Sequence, residues 1–382
     1  MKVLIFYASY GGGHYSAASS IMQHIKEFYP NVEVSICDLM KYISPGLDKI
    51  SVDAFKSITK NAPKLWGEIY KLCGKGPLFD ISTNFFKTST IKVNKLLKKE
   101  NPDIVISTHP FGGQTVSYLK KKGKTNCVLA SVMTDFASHN QWLVGSDYID
   151  YIFVSNEGMR QDIISKGISE DKIFATGIPL SNKFLQHFDR TKIKKSFELD
   201  LDKKTILFFG GGEFGLGKTK TVDILKSFIE NLGDQYQMVV IAGKNRKMEQ
   251  SFRYLVNDLE AHDKVEVYGF TNEVPELMSI SDLVVTKPGG LTITESLASG
   301  LPIIIINPIP GQEVENTLFL EDKGVAIWLK NDIDTSIRIK NILKNVNELE
   351  HMKIISKLLA KKNSTKDICA KILGEPTKKI EE

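Results

Sequence analysis

The feature that most constrains the fold of this chain is a series of short apolar runs separated by helix-like stretches. The runs are rich in β-branched residues and show little alternation of apolar and polar residues, which is typical of strands buried on both faces. The predicted strands are Val3–Tyr7, Val32–Cys37, Ile104–Ser107, Val128–Val132, Tyr151–Val154, Ile173–Ala175, Thr205–Phe209, Met238–Ala242, Val265–Tyr268, Leu283–Thr286, Ile303–Ile306 and Val325–Trp328. Helix-like patterns occupy Ser16–Phe28, Thr90–Glu100, Met159–Lys166, Thr221–Asn231, Glu249–Glu260 and Thr292–Ser299. This alternation predicts an α/β fold with parallel sheets and crossover helices.

The series occurs twice, and each time a glycine-rich loop follows the first strand. The loops are Tyr10-Gly11-Gly12-Gly13-His14 and Gly210-Gly211-Gly212, and a charged segment at 186–204 lies between the two series. We therefore predict Rossmann-like domains at 1–185 and 200–335, followed by a C-terminal helix at 336–373 that packs back across both. Because open parallel sheets bind ligands at the carboxyl ends of their strands, the two glycine loops would line opposite walls of a cleft.

Charge and cysteine content narrow the classes of protein. The net charge is +5, and the basic surplus lies in the first half of the chain, for example at Lys120-Lys121-Lys122. Such lysines either form solvated helix faces or attract anionic lipid or nucleic acid. Four cysteines without a C-x-x-C pair argue against zinc and redox motifs. The first residues form a predicted strand rather than a signal peptide, and no apolar run is long enough to span a bilayer, so a cytoplasmic location is expected.

One candidate nucleotide site is the segment GEFGLGKT at 212–219, which matches the phosphate-binding pattern G-x-x-x-x-G-K-[ST]. A P-loop NTPase or kinase also needs a carboxylate for Mg²⁺, usually at the end of a strand. Later strands lead instead into Gly243-Lys244 and Lys287-Pro288. The NTPase hypothesis is therefore the less favoured alternative, since the glycines can also let backbone N–H groups approach a pyrophosphate.

Two segments of the second series carry groups suited to a nucleotide sugar. In KPGGLTITE at 287–295 a strand leads into a helix whose N-terminal amides can hold a diphosphate. Here Thr292 can cap the helix, and Glu295 either completes a capping box with it or accepts two ribose hydroxyls. In PGQEVEN at 310–316, Gln312 and Glu313 either begin an exposed helix or offer the donors and acceptors that a sugar requires.

Several motifs occur in a fixed order along the chain. They are Tyr10-Gly-Gly-Gly-His14 with Ala17-Ala18, Ser107-Thr108-His109-Pro110, Thr134-Asp135-Phe136, Thr176-Gly177-Ile178-Pro179, Gly210-Gly211-Gly212, Gly243-Lys244-Asn245, Gly269-Phe270-Thr271, the segment 287–295 and Pro310-Gly311-Gln312-Glu313. In this combination the chain resembles the processive diacylglycerol glucosyltransferases of Gram-positive bacteria and the plant monogalactosyldiacylglycerol synthases. More distantly it resembles the GlcNAc transferase that makes lipid II. All are GT-B enzymes of glycosyltransferase family 28.

The resemblance implies an inverting transferase that moves a hexose from a UDP-sugar to a membrane lipid, either diacylglycerol or a glycosyl-diacylglycerol. It assigns the donor to the second domain: Gly211, Gly212, Gly289, Gly290 and Thr292 at the pyrophosphate, Phe270 at the uracil, Glu295 at the ribose, Gln312 and Glu313 at the sugar, and Lys244 elsewhere in the donor site. It assigns the acceptor to the first domain, with Gly12, Gly13, His109 and His139 as candidate contacts. Glucose, galactose and GlcNAc all stay open as the transferred sugar.

Transfer to an alcohol needs a base for the hydroxyl proton and stabilisation of the UDP leaving group. His14 is the first candidate base, since imidazole suits proton removal near neutral pH, although it could instead only bond to backbone. Asp135, at a predicted strand end, is the second candidate, either as base or as the group that orients an imidazole. His109 and His139 could equally have packing roles. A helix N-terminus can stabilise UDP without a metal, and the second-domain motifs lack a D-x-D pair, so we predict metal independence.

The stretch from Tyr42 to Phe86 is longer than a crossover requires and mixes apolar and aromatic residues with lysines. This composition favours an interfacial helix on anionic lipid, with a helix buried against the first domain as the alternative. The expected location is therefore the inner face of the cell membrane, with peripheral attachment and no nucleic-acid partner. A sensor that binds a nucleotide sugar without catalysis is a further alternative.

Overall fold

The computed structural model describes residues 1–9, 12–43, 78–211, 218–330, 332 and 334–376, together with residues 46, 57, 62, 67 and 68. The described residues form two compact units. Unit 1 draws on the ranges Met1–Phe55, Lys64–Asn182 and Lys361–Glu382, and unit 2 draws on Lys56–Pro63 and Lys183–Ala360. Most of the predicted interfacial stretch from Tyr42 to Phe86 lies outside the described residues.

Unit 1 is built on a parallel sheet of six strands in the order β2-β1-β3-β4-β5-β6. The strands are β1 Lys2–Tyr7, β2 Glu33–Asp38, β3 Ile104–Ser107, β4 Val128–Val132, β5 Tyr151–Phe153 and β6 Ile173–Phe174. The helices are α1 Gly13–Phe28, α2 Leu39–Ile43, α3 Leu78–Glu100, α4 Pro110–Lys121 and α5 Glu157–Ser165, with short 3₁₀ turns at Asn140–Leu143, Ser146–Tyr148 and Glu170–Lys172. The central strands are apolar on both faces because helices cover both sides of the sheet.

Unit 2 repeats the design with a parallel six-stranded sheet in the order β12-β11-β10-β7-β8-β9. The strands are β7 Lys204–Phe209, β8 Tyr236–Ile241, β9 Val265–Tyr268, β10 Leu283–Thr286, β11 Ile303–Ile306 and β12 Ala326–Leu329. The helices are α6 Arg190–Ser196, α7 Lys218–Glu230, α8 Arg246–Asp258, α9 Val274–Ile280, α10 Gly290–Ala298, α11 Gln312–Asp322, α12 Thr335–Lys344 and α13 Val346–Leu359. The predicted α/β fold, with one parallel sheet in each half, is confirmed.

Each sheet has a point where the order of strands reverses, and this point decides where a ligand can bind. In unit 1 the chain goes from β1 outward to β2 and then returns to place β3 on the other side of β1. In unit 2 it goes from β7 through β8 to β9 and returns to place β10 on the other side of β7. Loops that leave adjacent strands toward opposite faces open a crevice at the carboxyl ends. The β1/β3 and β7/β10 crevices are therefore the expected ligand sites.

The end of the chain differs from the sequence prediction, because the predicted helix at 336–373 is three helices. Asn345 ends α12 and caps α13, its side chain accepting from the N–H of Glu348 at 3.3 Å. The third helix, α14, is Ser364–Leu373 and belongs to unit 1. Asparagine competes with backbone groups for hydrogen bonds, so it favours a helix start over a helix interior.

Helix α14 is a built-in part of unit 1. The Ser364 hydroxyl donates to the carbonyl of Ile178 at 2.7 Å, and the Thr365 hydroxyl donates to the carbonyl of Leu180 at 2.7 Å. On the same helix, Ile368 and Cys369 are buried in the apolar cluster that covers one face of the sheet. Unit 1 thus closes its core with residues from the far end of the sequence.

Candidate functional site

The crevice of unit 1 holds a histidine cluster. His14 lies in the first turn of α1, and its Nδ1 is 2.6 Å from the carbonyl oxygen of Thr108, at the end of β3. The Thr134 hydroxyl, just after β4, lies 3.2 Å from the same Nδ1. The ring of His109 meets the His14 ring edge-to-face, with centroids 4.8 Å apart. Residues that follow β1, β3 and β4 therefore converge, because these strands are neighbours in the sheet.

The contact with Thr108 fixes the tautomer of His14. A carbonyl oxygen only accepts, so Nδ1 of His14 carries the proton and donates it. The other ring nitrogen, Nε2, then holds a lone pair, which is the arrangement that a general base requires. Burial lowers the pKa of His14 to about 4, so the ring is neutral at pH 7. The group that orients this imidazole is thus a main-chain carbonyl, assisted by the hydroxyl of Thr134.

The other histidines singled out from the sequence act at helix starts. His109 precedes α4, and its Nδ1 accepts from the N–H of Phe111 at 3.3 Å, which places the proton of the neutral ring on Nε2. Burial, together with the neighbouring His14, holds the pKa of His109 well below its usual range. His139 caps the turn Asn140–Leu143 in the same way, accepting from the N–H of Gln141 at 3.3 Å. These caps support the packing alternative without excluding contact with an acceptor.

The remaining unit 1 candidates lie at the same edge of the sheet. Asp135 is half-buried in the loop after β4 and follows Thr134 directly. Gly12 is the residue before α1, and Gly13 is its first residue. A Cβ atom at Gly12 would meet none of the described residues within 4 Å. Glycine at position 12 therefore leaves space at the crevice and is not needed for packing against the described residues.

The crevice of unit 2 begins with the second glycine loop. Gly210 packs against the Phe252 ring so closely that a Cβ atom would lie 2.3 Å from it, and Gly211 has a φ of +84°, which disfavours other residues. A Cβ atom on Gly211 would also lie 3.3 Å from Cε of Lys287, which follows β10. Gly212 and the rest of the GEFGLGKT segment as far as residue 217 lie outside the described residues. A cation therefore lies beside the glycine turn where phosphate is expected.

The start of α10 excludes the capping box that the sequence left open as an alternative for Thr292 and Glu295. The helix begins at Gly290 with Gly289 before it, and among the described residues no side-chain cap is present at its first amides. Thr292 is thus the third residue of the helix rather than its cap, so the proposed box with Glu295 does not form. Glycine at both positions keeps side chains away from the N-terminal amides, whose dipole favours an anion.

Glu295 lies one turn further along α10 and is unusual for a carboxyl group. Burial raises its pKa to about 8, and burial is the cause of the whole shift. Among the described residues, no hydrogen bond or ion pair to its carboxylate is present. A half-buried acid without a partner offers acceptors to a ligand, which fits the ribose role implied by the resemblance.

Helix α11 supplies the two residues assigned to the sugar. It starts after Gly311, whose φ is +103°, and Oε1 of Gln312 is buried without a hydrogen-bond partner among the described residues. Glu313 is engaged on both oxygens: Oε2 accepts from the N–H of Ile309 at 2.7 Å, and Oε1 is 3.8 Å from Nζ of Lys287. Gln312 therefore has acceptor capacity to spare, whereas Glu313 is already paired.

Lys244 and Phe270 lie together beyond β8 and β9. Nζ of Lys244 sits 5.0 Å from the centroid of the Phe270 ring, a cation–π contact, and 59% of Phe270 is exposed. A large exposed aromatic ring at the carboxyl end of a strand can stack on a planar base.

The structure indicates roles for two residues that could not be assigned one from the sequence. Thr108 orients His14 through its main chain, and Lys287 places a positive charge beside Gly211. Both belong to sequence motifs described above, but their roles depend on which strands are neighbours in the sheet. In the part of the chain that the structure describes, no three His, Cys, Asp or Glu side chains gather as metal ligands would. No helix in the described ranges has the length and apolarity of a membrane span.

Comparisons with known proteins agree with this architecture. Residues 14–180 match the family model of monogalactosyldiacylglycerol (MGDG) synthase, and residues 189–358 match glycosyl transferases group 1. The chain is 31% identical to the processive diacylglycerol β-glucosyltransferase of Bacillus licheniformis, covering 98% of this chain and 95% of that one. The enzyme of the same description from Staphylococcus carnosus is 30% identical, covering 97% and 92%.

Solved structures match the fold as well. MurG of Acinetobacter baumannii superposes with a TM-score of 0.66 at 14% identity, covering 97% of this chain and 98% of that one. S. aureus MnaA, solved with UDP, superposes with a TM-score of 0.65 at 13% identity, covering 99% and 100%. At this identity the likeness shows a shared fold of two parallel-sheet units.

Proposed function

The chain belongs to the family of the processive diacylglycerol β-glucosyltransferases, and we propose that it transfers glucose from UDP-glucose to diacylglycerol. The observation that carries the proposal is similarity over almost the entire length, with 31% identity across 98% of the chain. It covers both units, so it supports donor and acceptor functions together. The P-loop NTPase alternative is not favoured, because the relatives that span the glycine loop are glycosyltransferases.

We place the donor at the β7/β10 crevice of unit 2. The diphosphate lies over Gly211 and the N-terminal amides of α10, with Lys287 as the nearby cation. Glu295 accepts the ribose hydroxyls, and Phe270 stacks on the uracil. Gln312 and Glu313 face the hexose. Cation and oriented amides together stabilise the charge that develops on UDP as it leaves.

We place the acceptor hydroxyl at His14 in unit 1. Sugar nucleotides of this type carry the hexose in α linkage, so a β product requires attack on the anomeric carbon from the face opposite UDP. As the acceptor oxygen forms its bond to that carbon, the bond to the diphosphate breaks and the hydroxyl proton passes to Nε2 of His14. The imidazolium that results keeps its Nδ1–H bond to Thr108, so the ring need not move.

We further propose that transfer needs no metal ion and takes place at a membrane surface. The charge on UDP is met by Lys287 and helix amides, which removes the need for a bridging cation. Diacylglycerol stays in the lipid phase, so the enzyme must reach the bilayer to use it. Activity that disappeared in EDTA and returned with Mn²⁺ would contradict metal independence. Failure to bind anionic liposomes at low salt would contradict transfer at a membrane surface.

The decisive experiment measures UDP release from UDP-glucose, UDP-galactose and UDP-GlcNAc, each with and without diacylglycerol micelles. Release from UDP-glucose that depends on diacylglycerol is the expected result. UDP release from another donor would assign a different transferred sugar. Tight UDP binding without release from any donor would contradict diacylglycerol as the acceptor. A second assay with glucosyl-diacylglycerol as acceptor tests whether the product is extended by another glucose. Hydrolysis of ATP with Mg²⁺, without sugar transfer, would support the NTPase alternative instead.

A further inference from the structure

Thr108 contacts His14 at two places in unit 1. Its main-chain carbonyl oxygen accepts from Nδ1 of the His14 ring at 2.6 Å. Its side-chain hydroxyl donates to the main-chain carbonyl of His14 at 2.8 Å. A helix carbonyl has two lone pairs, so that of His14 can accept this hydrogen in addition to a bond within α1. The two residues thus exchange two hydrogen bonds in opposite directions, one at the ring and one at the main chain.

Thr108 is itself a fixed support. It is fully buried and directly follows β3, and its N–H donates to the carbonyl of Phe6 on β1 at 2.9 Å. The hydroxyl of Thr108 lies 3.3 Å from that same carbonyl, farther than from the carbonyl of His14. A threonine side chain is stiff at χ1 because its Cβ carries two heavy atoms. Since the carbonyl of Phe6 already accepts from the N–H, the principal partner of the hydroxyl is His14.

The contact with the main chain of His14 determines what the ring contact alone leaves open. An imidazole turns about two side-chain bonds, and the second of these has a broad range of allowed angles, so one hydrogen bond to Nδ1 can persist over many ring positions. The hydroxyl of Thr108 fixes the main chain of His14 relative to the carbonyl that accepts from its ring. Because both ends of the histidine are then held by one residue, Nε2 has a defined position in the crevice. A small displacement of a catalytic group lowers a reaction rate steeply.

We propose that Thr108 is a positioning residue for the base, whose hydroxyl holds the main chain of His14 so that Nε2 meets the acceptor hydroxyl. The inference rests on the role proposed above for His14 and deepens it, because it assigns a task to the side chain of Thr108 in addition to its carbonyl. Thr108 acts through His14 and not on the substrate. The hydroxyl, unlike the carbonyl, can be removed by substitution, which makes the proposal testable.

Thr108→Val removes the hydroxyl and keeps the shape of the side chain. The kcat for UDP release with diacylglycerol is expected to fall about tenfold to a hundredfold, because the loosened base spends less time in its productive position. UDP affinity should not change, since the donor is placed in unit 2. Thr108→Ser keeps the hydroxyl and should retain most of the wild-type kcat.

Thr115→Val is the matched control for the loss of a threonine hydroxyl. Thr115 is also fully buried in unit 1, and its hydroxyl donates to the main-chain carbonyl of Phe111 at 2.8 Å. The substitution therefore removes a comparable buried hydrogen bond within α4 and leaves both contacts of His14 with Thr108 in place. Turnover in this variant should stay near that of wild type.

The pH dependence of kcat separates a positioning role from a loss of stability. Burial lowers the pKa of His14 to about 4, and the bond to Thr108 opposes this shift. A loosened ring regains contact with water, so its pKa rises, and kcat of Thr108→Val should begin to fall below about pH 6.5 while that of wild type is still flat. An enzyme that is only less stable would lose activity without this change in pH dependence. Among the described residues, the other titratable side chains in the first turn of α1 and at or just after the ends of β1 to β4, all unchanged by the substitution, are Tyr7, Tyr15, Asp38, His109 and Asp135.

A measurement on wild type tests the arrangement without any change at Thr108. The nitrogen chemical shifts of the His14 ring, assigned by difference from His14→Gln, should show the proton on Nδ1 and the lone pair on Nε2. In Thr108→Val the ring signals should broaden because the ring samples more positions, whereas in Thr115→Val they should stay as in wild type.

A lower kcat that falls at higher pH in Thr108→Val, retained turnover in Thr108→Ser and near-wild-type turnover in Thr115→Val would support the proposal. Unchanged kcat in Thr108→Val, equal losses in Thr108→Val and Thr115→Val, or a proton on Nε2 of His14 in wild type would overturn it. If wild type binds UDP-glucose but releases no UDP with diacylglycerol, the proposed acceptor fails. The ring signals of His14 in the two valine variants then still decide whether the hydroxyl of Thr108 holds the ring.

Discussion

The two crevices are alike in topology and opposite in chemistry. In unit 1 the loops after β1 and β3 bring together neutral imidazoles, and burial keeps the pKa of both His14 and His109 low. In unit 2 the loops after β7 and β10 bring together a lysine, a half-buried acid whose pKa is raised to about 8 and a helix start without a side-chain cap. In the proposed mechanism, the same strand reversal thus serves proton removal in one unit and anion binding in the other.

The helices that follow β3 and β10 differ at their starts. In unit 1, His109 uses its own ring to satisfy an amide at the start of α4, so that end of the helix is already occupied. In unit 2, glycines at 289 and 290 leave the first amides of α10 for a ligand. A capped helix start supports neighbouring side chains, whereas an uncapped one is itself a binding surface. The contrast holds between α4 and α10, the helices that follow β3 and β10, because α1 in unit 1 also starts after a glycine without a side-chain cap.

The largest effect should come from His14→Ala, which tests unit 1 alone. Loss of the base is expected to lower kcat about 10²- to 10⁴-fold and leave UDP affinity unchanged. In wild type, kcat should be flat from pH 6 to 8 and fall only toward pH 4, because His14 is unprotonated above its pKa of about 4. Kinetics with UDP-glucose and diacylglycerol micelles provide the measurement.

The exposed residue His187 supplies the control, as His187→Ala removes an imidazole outside both crevices. Near-wild-type turnover in His14→Ala would move the base to Asp135. A loss of UDP affinity in the same variant would break the separation of roles between the two units.

A second, smaller effect is expected from Gly211→Ala, which tests unit 2. The added methyl must adopt a φ of +84° and crowd Lys287, so UDP affinity should fall about tenfold to a hundredfold, the cost of overpacking by about 1–3 kcal/mol. Gly167→Ala, with a φ of +90° and open space around it, carries the same backbone strain without a neighbour. A loss of stability in both variants that is larger in Gly211→Ala, with loss of UDP binding in Gly211→Ala alone, is the expected pattern, measured by thermal unfolding and titration.

The third effect concerns the acid of unit 2. A carboxylate that accepts ribose hydroxyls binds better when ionised, so UDP affinity should rise about tenfold between pH 7 and pH 9 as Glu295 loses its proton. Glu295→Gln should flatten this dependence. Titration of 2′-deoxy-UDP, which lacks one hydroxyl, should show a smaller rise in wild type. A rise of the same size in Glu295→Gln would assign it to another group.

A further effect is a stability difference of opposite sign in the two units. His14, His109 and the buried His24 have lowered pKa values in the folded state, so the unfolded chain binds more protons and unit 1 loses stability as pH falls from about 6.5 toward 4. Glu295 has a raised pKa, so its contribution to unit 2 is lost as pH rises from about 4.5 to 8. One full proton changes the free energy of unfolding by about 1.4 kcal/mol per pH unit.

Hydrogen exchange measures the two units separately. Amide protection, corrected for the exchange rate of the unfolded chain, should fall in unit 1 on going from pH 7 to pH 5. The loss of amide protection in unit 2 between pH 5 and pH 8 should be smaller in Glu295→Gln than in wild type. If amide protection changed with pH in the same direction in both units, and Glu295→Gln had no effect, the assignment of these changes to the histidines and to Glu295 would be contradicted.

The sheets could be predicted closely from the sequence. The predicted bounds of Ile104–Ser107 and Val265–Tyr268 match β3 and β9, because buried β-branched runs end where polar or glycine-rich loops begin. The start of α10 was predicted at Thr292, whereas it lies at Gly290, since glycine carries little signal for a helix start. Helix ends depend on single capping residues and are less visible than strands.

The candidate site could be predicted by residue type but not by contact. His14 and Glu295 were identified from their positions after strands, and their roles remain predictions. The carbonyl of Thr108 that fixes the His14 tautomer has no sequence signature, since every residue carries a carbonyl. The role of Lys287 depends on β10 lying beside β7, which brings its Cε within 3.3 Å of the position that a Cβ atom on Gly211 would take.

The position of α14 has a consequence for the synthesis of the protein. Ile368 and Cys369 complete the core of unit 1, yet they follow the whole of unit 2 in the sequence and leave the ribosome after it. Domains generally fold as units while the chain is made. Unit 2 has all its strands and helices before α14 is made, whereas one face of the apolar cluster of unit 1 stays uncovered until then. The half that is translated first is therefore the half that finishes folding last.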